Sequence, residues 1–217
     1  MRRIVLALVL AAAASGGLSA QTPAAAADAQ RDSAFRAWVR ATLVGAGVAE
    51  PRGLLLFEGL RSSGELQVRV LEGAFPDSAL MRVYGEVQRR PDRWPGDALR
   101  LLVRVDADAF QGTPAPGPEG MPELQNGPEV ANVIRAFAAS HPGLGAAGQS
   151  VTAQVQTVVS RTGAVVFAMV VESSGNAEVD RFAAETALTM LFRPARSGTT
   201  PVDVWVTIPV EVAAPAR

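Results

Sequence analysis

Val151-Thr152-Ala153-Gln154-Val155-Gln156-Thr157-Val158-Val159 is the stretch whose reading decides the fold. Apolar and polar residues alternate along it, the period of a strand with one face in a core. Arg161-Thr162-Gly163 follows and supplies a turn whose glycine is free to take a positive φ. The next run, Ala164 to Val171, is almost wholly apolar, which predicts a strand covered on both faces. Glu172-Ser173-Ser174-Gly175-Asn176 breaks that run. Val179, Phe182, Ala183, Thr186 and Met190 then share one face of a helix predicted over 177–191, with Asn176 as its N-cap and Pro194 as its stop. Ser197-Gly198 turns the chain. After it, Val202, Val204, Val206, Ile208, Val210 and Val212 alternate with Asp203, Trp205, Thr207, Pro209 and Glu211 as a long one-faced strand. A hairpin followed by a helix and a strand is antiparallel throughout if the last strand lies beside the first, in the order 2-1-3, with helices on one face. Pro209 places that last strand at the sheet edge, because proline cannot donate to a ladder.

The first half repeats this order. Phe35, Trp38, Val39 and Leu43 mark an amphipathic helix over 30–44, ended by Gly45 and Gly47 and preceded by a flexible alanine-rich lead over 21–29. Leu54 to Phe57 reads as a strand and Arg61-Ser62-Ser63-Gly64 as a turn. Leu66, Val68 and Val70 alternate as a second strand. A helix follows over 79–88, with Asp77 or Ser78 as cap. Then comes the turn cluster Pro91 to Gly96, and a strand of Leu99, Leu101, Val103 and Val105. Gly64 aligns with Gly163, and Asp77 with Asn176. The expected fold is therefore α+β, a two-layer sandwich with a small antiparallel sheet over 124–213. Residues 28–110 form a second such half, either a diverged copy or an independent use of a common small arrangement, and a Pro/Gly linker over 111–123 joins the two.

The C-terminal series of joints resembles the C-terminal domain of the TonB energy-transducer family. The likeness rests on Thr162-Gly163, Ser173-Ser174-Gly175, Val179-Asp180 with Ala183-Ala184, Phe192-Arg193-Pro194-Ala195, Pro201-Val202, Val204-Trp205-Val206 and Ile208-Pro209-Val210. Leu124-Gln125-Asn126 and a helix ending near His141-Pro142 fit the lead-in, so the likeness covers about residues 121–213. His141-Pro142 stands where the family has Tyr-Pro, and Gln149-Ser150 where it has a glycine. The resemblance implies a module that grips a short peptide of an outer-membrane transporter. Strand addition along the edge Pro201, Val202, Asp203, Val204, Trp205, Val206, Thr207, Ile208, Pro209 and Val210 would be the means.

Composition narrows the remaining classes. The 217 residues are 48% apolar and 19% charged, enough for a packed core. The formal net charge of −1 offers no field for nucleic acid. All basic residues are arginine, and the absence of cysteine excludes disulfides, thiolate metal sites and cysteine nucleophiles. Arg2-Arg3, the apolar run Ile4 to Ala14 and the small residues to Ala20 form a secretory signal over 1–20. The run is too short for a spanning helix. The expected location is the periplasm of a Gram-negative envelope, or the inner membrane if the signal stays uncut. A cleaved signal and so short a linker argue against direct energy transduction and for a soluble accessory.

Catalytic and cofactor chemistry is not expected. The single histidine, His141, has no evident nucleophile or orienting partner and reads as a loop-packing residue. Gly143-Leu144-Gly145-Ala146-Ala147-Gly148 matches a dinucleotide fingerprint but follows a helix and precedes a strand, the reverse of what phosphate binding needs. Asp106 and Asp108 offer too few oxygens for calcium and read as a solvated strand end. Trp38, Trp94 and Trp205 are candidate interface anchors; Trp38 also fits the core, and Trp205, on the polar face of the edge strand, is either covered by the neighbouring half or exposed as a partner anchor. The expected partner is thus a protein or peptide. The alternative is an assembly protein that forms a homodimer through the same edge, with no role in energy transduction.

Overall fold

The computed structural model describes residues 23–106, 121–141 and 150–213. The expected signal over 1–20, most of the linker, Asp108 and the 143–148 glycine motif lie outside the described residues. The chain divides into two compact units, at Ala115 and Pro116.

The N-terminal unit comprises α1 (Pro23–Gly45), β1 (Leu54–Leu60), β2 (Glu65–Glu72), α2 (Asp77–Arg89), a 3-10 turn (Pro91–Arg93) and β3 (Ala98–Arg104). Its antiparallel sheet has the order β2-β1-β3. Phe35, Val39 and Leu43 of α1 and Ala79, Val83 and Val87 of α2 pack with Leu55 and Phe57 of β1 in one core. Helix α1 begins earlier than expected, inside the alanine-rich segment whose composition predicts a flexible lead. Alanine is the strongest helix former, and Pro23 suits a first helical position. The cap of α2 is also corrected. Neither Asp77 nor Ser78 caps it: the N-cap residue is Pro76, with no side-chain bond. Asp77 instead sits in the first turn, where its charge favours the helix dipole. Trp94 is a core residue rather than an interface anchor. Its ring lies against Gly59, and its indole N–H donates to the Val87 carbonyl at 2.9 Å. Trp38 is half-buried, edge-on to Phe35 at 5.8 Å, with the Arg93 guanidinium 5.0 Å above its ring.

The C-terminal unit comprises β4 (Glu123–Leu124), α3 (Gly127–Ser140), β5 (Ser150–Val159), β6 (Val165–Glu172), α4 (Ala177–Leu188), β7 (Phe192–Arg193), β8 (Arg196–Ser197), β9 (Thr200–Pro201) and β10 (Val204–Ala213). Its main sheet has the order β10-β5-β6, so both units realise the arrangement 2-1-3. The helices lie on one face, over a core of Ala153, Val155, Val159, Val179, Ala183, Met190, Phe192, Val206, Ile208 and Val210. The mixed α+β class with small antiparallel sheets is as the pattern predicts.

Two local expectations fail in this unit. Strand β6 is not covered on both faces: it is the other sheet edge, and Met169 and Val171 are 37% and 51% exposed. A continuous apolar run is as compatible with an edge as with a centre, and only pairing distinguishes them. Helix α4 ends at Leu188, well before Pro194. The chain leaves the helix so that Phe192-Arg193 can pair with Glu123-Leu124. The Thr189 hydroxyl donates to the Thr186 carbonyl at 2.7 Å and helps terminate the last turn.

Candidate functional site

Strand β10 is ten residues long and pairs with β5 in unbroken register from Val204–Val159 to Ala213–Ser150. No described strand pairs with its outer side. Pro209 lies opposite Gln154 and has no N–H, so its position cannot be one that bonds to β5. By alternation, Val204, Val206, Ile208, Val210 and Val212 turn their backbone groups to β5. The Thr157 hydroxyl also donates to the Val206 carbonyl, at 3.0 Å. Trp205, Thr207 and Glu211 therefore turn both N–H and C=O outward, while Pro209 offers a carbonyl alone. The same alternation sets the side chains: Val206, Ile208, Val210 and Val212 are buried, and Trp205, Thr207 and Pro209 lie on the face away from the helices. Trp205 is half-buried there, edge-on to Phe167 at 5.8 Å, with Val158 between them in the ladder.

The sequence reading runs the edge as one strand from Pro201 to Val210, and the structure divides it. Pro201 belongs to the small β8-β9 hairpin opposite Arg196, and the Val202 N–H donates to the Ala195 carbonyl at 2.9 Å. The Asp203 carboxylate accepts from the Arg161 N–H at 2.9 Å, which pins the start of β10 to the β5-β6 turn. Only Val204 to Val210, and the residues after them to Ala213, form the continuous edge.

That turn is itself tightly held. Gly163 has φ +89°, and a Cβ there would collide with the Phe192 carbonyl. The Phe192 N–H donates to the Gly163 carbonyl at 2.8 Å, so the Thr-Gly turn and the Phe-Arg-Pro-Ala segment meet in space. Asn176 caps α4 as expected, its side-chain oxygen accepting from the Glu178 and Val179 N–H groups at 2.8 and 3.2 Å. Asp180 in the first turn of α4 accepts from the Ser173 hydroxyl at 2.5 Å and from the Ser174 hydroxyl and N–H at 2.7 and 2.8 Å. These bonds, the Ser173 hydroxyl first, hold its carboxyl below the usual carboxylate range. They fasten the loop between β6 and α4.

His141 stacks on Phe137 at 4.3 Å. Its Nε2 lies 3.0 Å from Glu178 Oε1, and its Nδ1 lies 2.8 Å from the Phe137 carbonyl. It thus joins the end of α3 to the start of α4. Asp106 departs from the solvated strand end predicted for it. It is buried at 7% exposure and accepts from the Gly53 N–H at 2.6 Å, while Arg104 bridges to Glu72. Sequence reasoning missed this lock because Gly53 is remote in the chain. Among the described residues no helix is long and apolar enough to cross a membrane. None of the protein-family models, curated proteins or solved structures compared with the chain matches it.

Proposed function

We propose that this protein is a periplasmic binding module that grips an extended partner peptide by adding it as a strand beside β10, in the manner of TonB C-terminal domains. The proposed partner is the exposed peptide of an outer-membrane transporter. The supporting observation is the long edge strand with outward N–H and C=O groups at Trp205, Thr207 and Glu211. A peptide laid antiparallel there satisfies those groups, and its alternate side chains meet Trp205 and Thr207 on one face. The reading assigns no catalytic residue, cofactor or metal.

The decisive variant is Thr207→Pro. It removes one outward donor while leaving the bonds from Val206 and Ile208 to β5, so the fold survives as it does with Pro209. Binding of a synthetic transporter peptide, followed by calorimetry, should weaken about three- to tenfold, the worth of one hydrogen bond. Ile208→Pro is the contrasting control. It breaks the inner ladder and unfolds the unit. Wild-type affinity in Thr207→Pro would mean that the peptide is held elsewhere. No peptide binding at all, combined with a dimer that grows with concentration and is lost in Thr207→Pro, would assign the edge to self-association instead.

A further inference from the structure

The two helices of the C-terminal unit run antiparallel and are tied together at their ends. At one end the Asn126 amide donates to the Thr189 carbonyl at 3.0 Å and accepts from the Leu191 N–H at 2.9 Å. At the other, Phe137 stacks on Phe182 with ring centroids 3.8 Å apart, and His141 reaches Glu178. Between the two ties the helices leave a cleft of about 370 Å³, floored by Val130, Phe182 and Thr186. Val133 lines it at 47% exposure. In the N-terminal unit, which has the same topology, α1 and α2 pack directly on one another, and Phe35 and Leu43 are fully buried. The shared topology alone therefore does not dictate how closely the two helices of a unit meet.

The cleft also carries charge of one sign. Glu129 of α3 and Glu185 of α4 stand on its two sides, no arginine lines it, and neither carboxylate is ion-paired among the described residues. On α3 the lining residues Glu129, Val130 and Val133 continue the spacing begun at Asn126; on α4, Phe182, Glu185 and Thr186 lead to Thr189 with the same steps of three and four. Such paired stripes accept a third helix laid between two. We infer that the α3-α4 cleft is a second docking site, for a partner's short amphipathic helix bearing an aliphatic stripe flanked by arginine or lysine. The aliphatic side chains fill the apolar floor, and the flanking cations meet Glu129 and Glu185. This site is in the helical layer and does not depend on the β10 edge being a peptide site.

The probe is a fluorescein-labelled helical peptide with leucines spaced three and four apart and arginines beside them, compared with the same peptide carrying glutamates in place of the arginines. Both are titrated by anisotropy against the full chain at low and physiological salt. The arginine peptide should bind more tightly, and with a stronger salt dependence. The Glu129→Gln, Glu185→Gln pair, both surface changes, should weaken it about fivefold or more and flatten the salt dependence. Val133→Arg should abolish binding with the circular dichroism unchanged. Amide shift changes in the wild-type complex should map to α3 and α4. Equal binding of the two peptides, unchanged affinity in the double glutamine variant, or shifts confined to β10 would each overturn the inference. The Thr207→Pro titration with transporter peptide is scored separately, so the two sites stand or fall apart.

Discussion

Gly163 and Gly64 hold the same place in the two hairpins, yet their surroundings differ. Both have positive φ, +89° and +68°, but a Cβ meets the Phe192 backbone at Gly163 and nothing within 4 Å at Gly64. Gly64→Ala should cost about 1 kcal/mol, the strain of a left-handed alanine. Gly163→Ala should cost clearly more, about 2–4 kcal/mol, because backbone must also shift. Urea unfolding of the two variants checks the order. Asp180 makes a second residue-scale prediction. Its folded carboxyl titrates below its ordinary value of 3.8. Its contribution to stability is therefore present above that value and is lost as pH falls through the lower, folded one. Asp180→Asn should lower stability at neutral pH and remove part of the acid loss, read as urea midpoints at descending pH. The Gly163 turn and the Asn176 cap were legible because their chemistry is local. The Asp106 lock was not, because its partner is Gly53, and Asp77 misled because a proline took the capping position.

Elements were legible where periodicity alone defines them and less so where neighbours decide. The alternation of β5 and β10 and the apolar face of α4 are in the sequence, and Pro209 marks the edge. The sequence could not say that β6 is an edge too, since pairing rather than composition sets that. The α3-α4 cleft is invisible in either helix alone, because its lining comes from both. At this scale Trp94 is the telling side chain, joining α2 to the sheet. Trp94→Phe keeps most of the ring but leaves the Val87 carbonyl without its indole partner, and should cost about 1–2 kcal/mol. Trp94→Ala should cost about 3–5 kcal/mol by leaving a cavity against Gly59. Thermal unfolding followed by circular dichroism distinguishes these from an exposed anchor, whose removal would be nearly neutral.

For the whole molecule, the same order of strands occurs twice, each with its own apolar core. Residues 121–213 expressed alone should fold cooperatively, with an amide spectrum that overlays on the matching signals of the full chain. Collapse of the isolated piece would show that its stability is borrowed from the rest of the chain. One consequence lies in Pro209. A row of outward backbone groups would ordinarily let an incoming strand slip by two residues and find the same bonds again. With no donor at Pro209, whichever carbonyl of the incoming strand comes to lie there stays without a partner, in every register. Proline here works as a blunt spot: it takes one bond from any strand laid along the edge, a copy of this chain included, and so weakens the edge as a template for polymerisation.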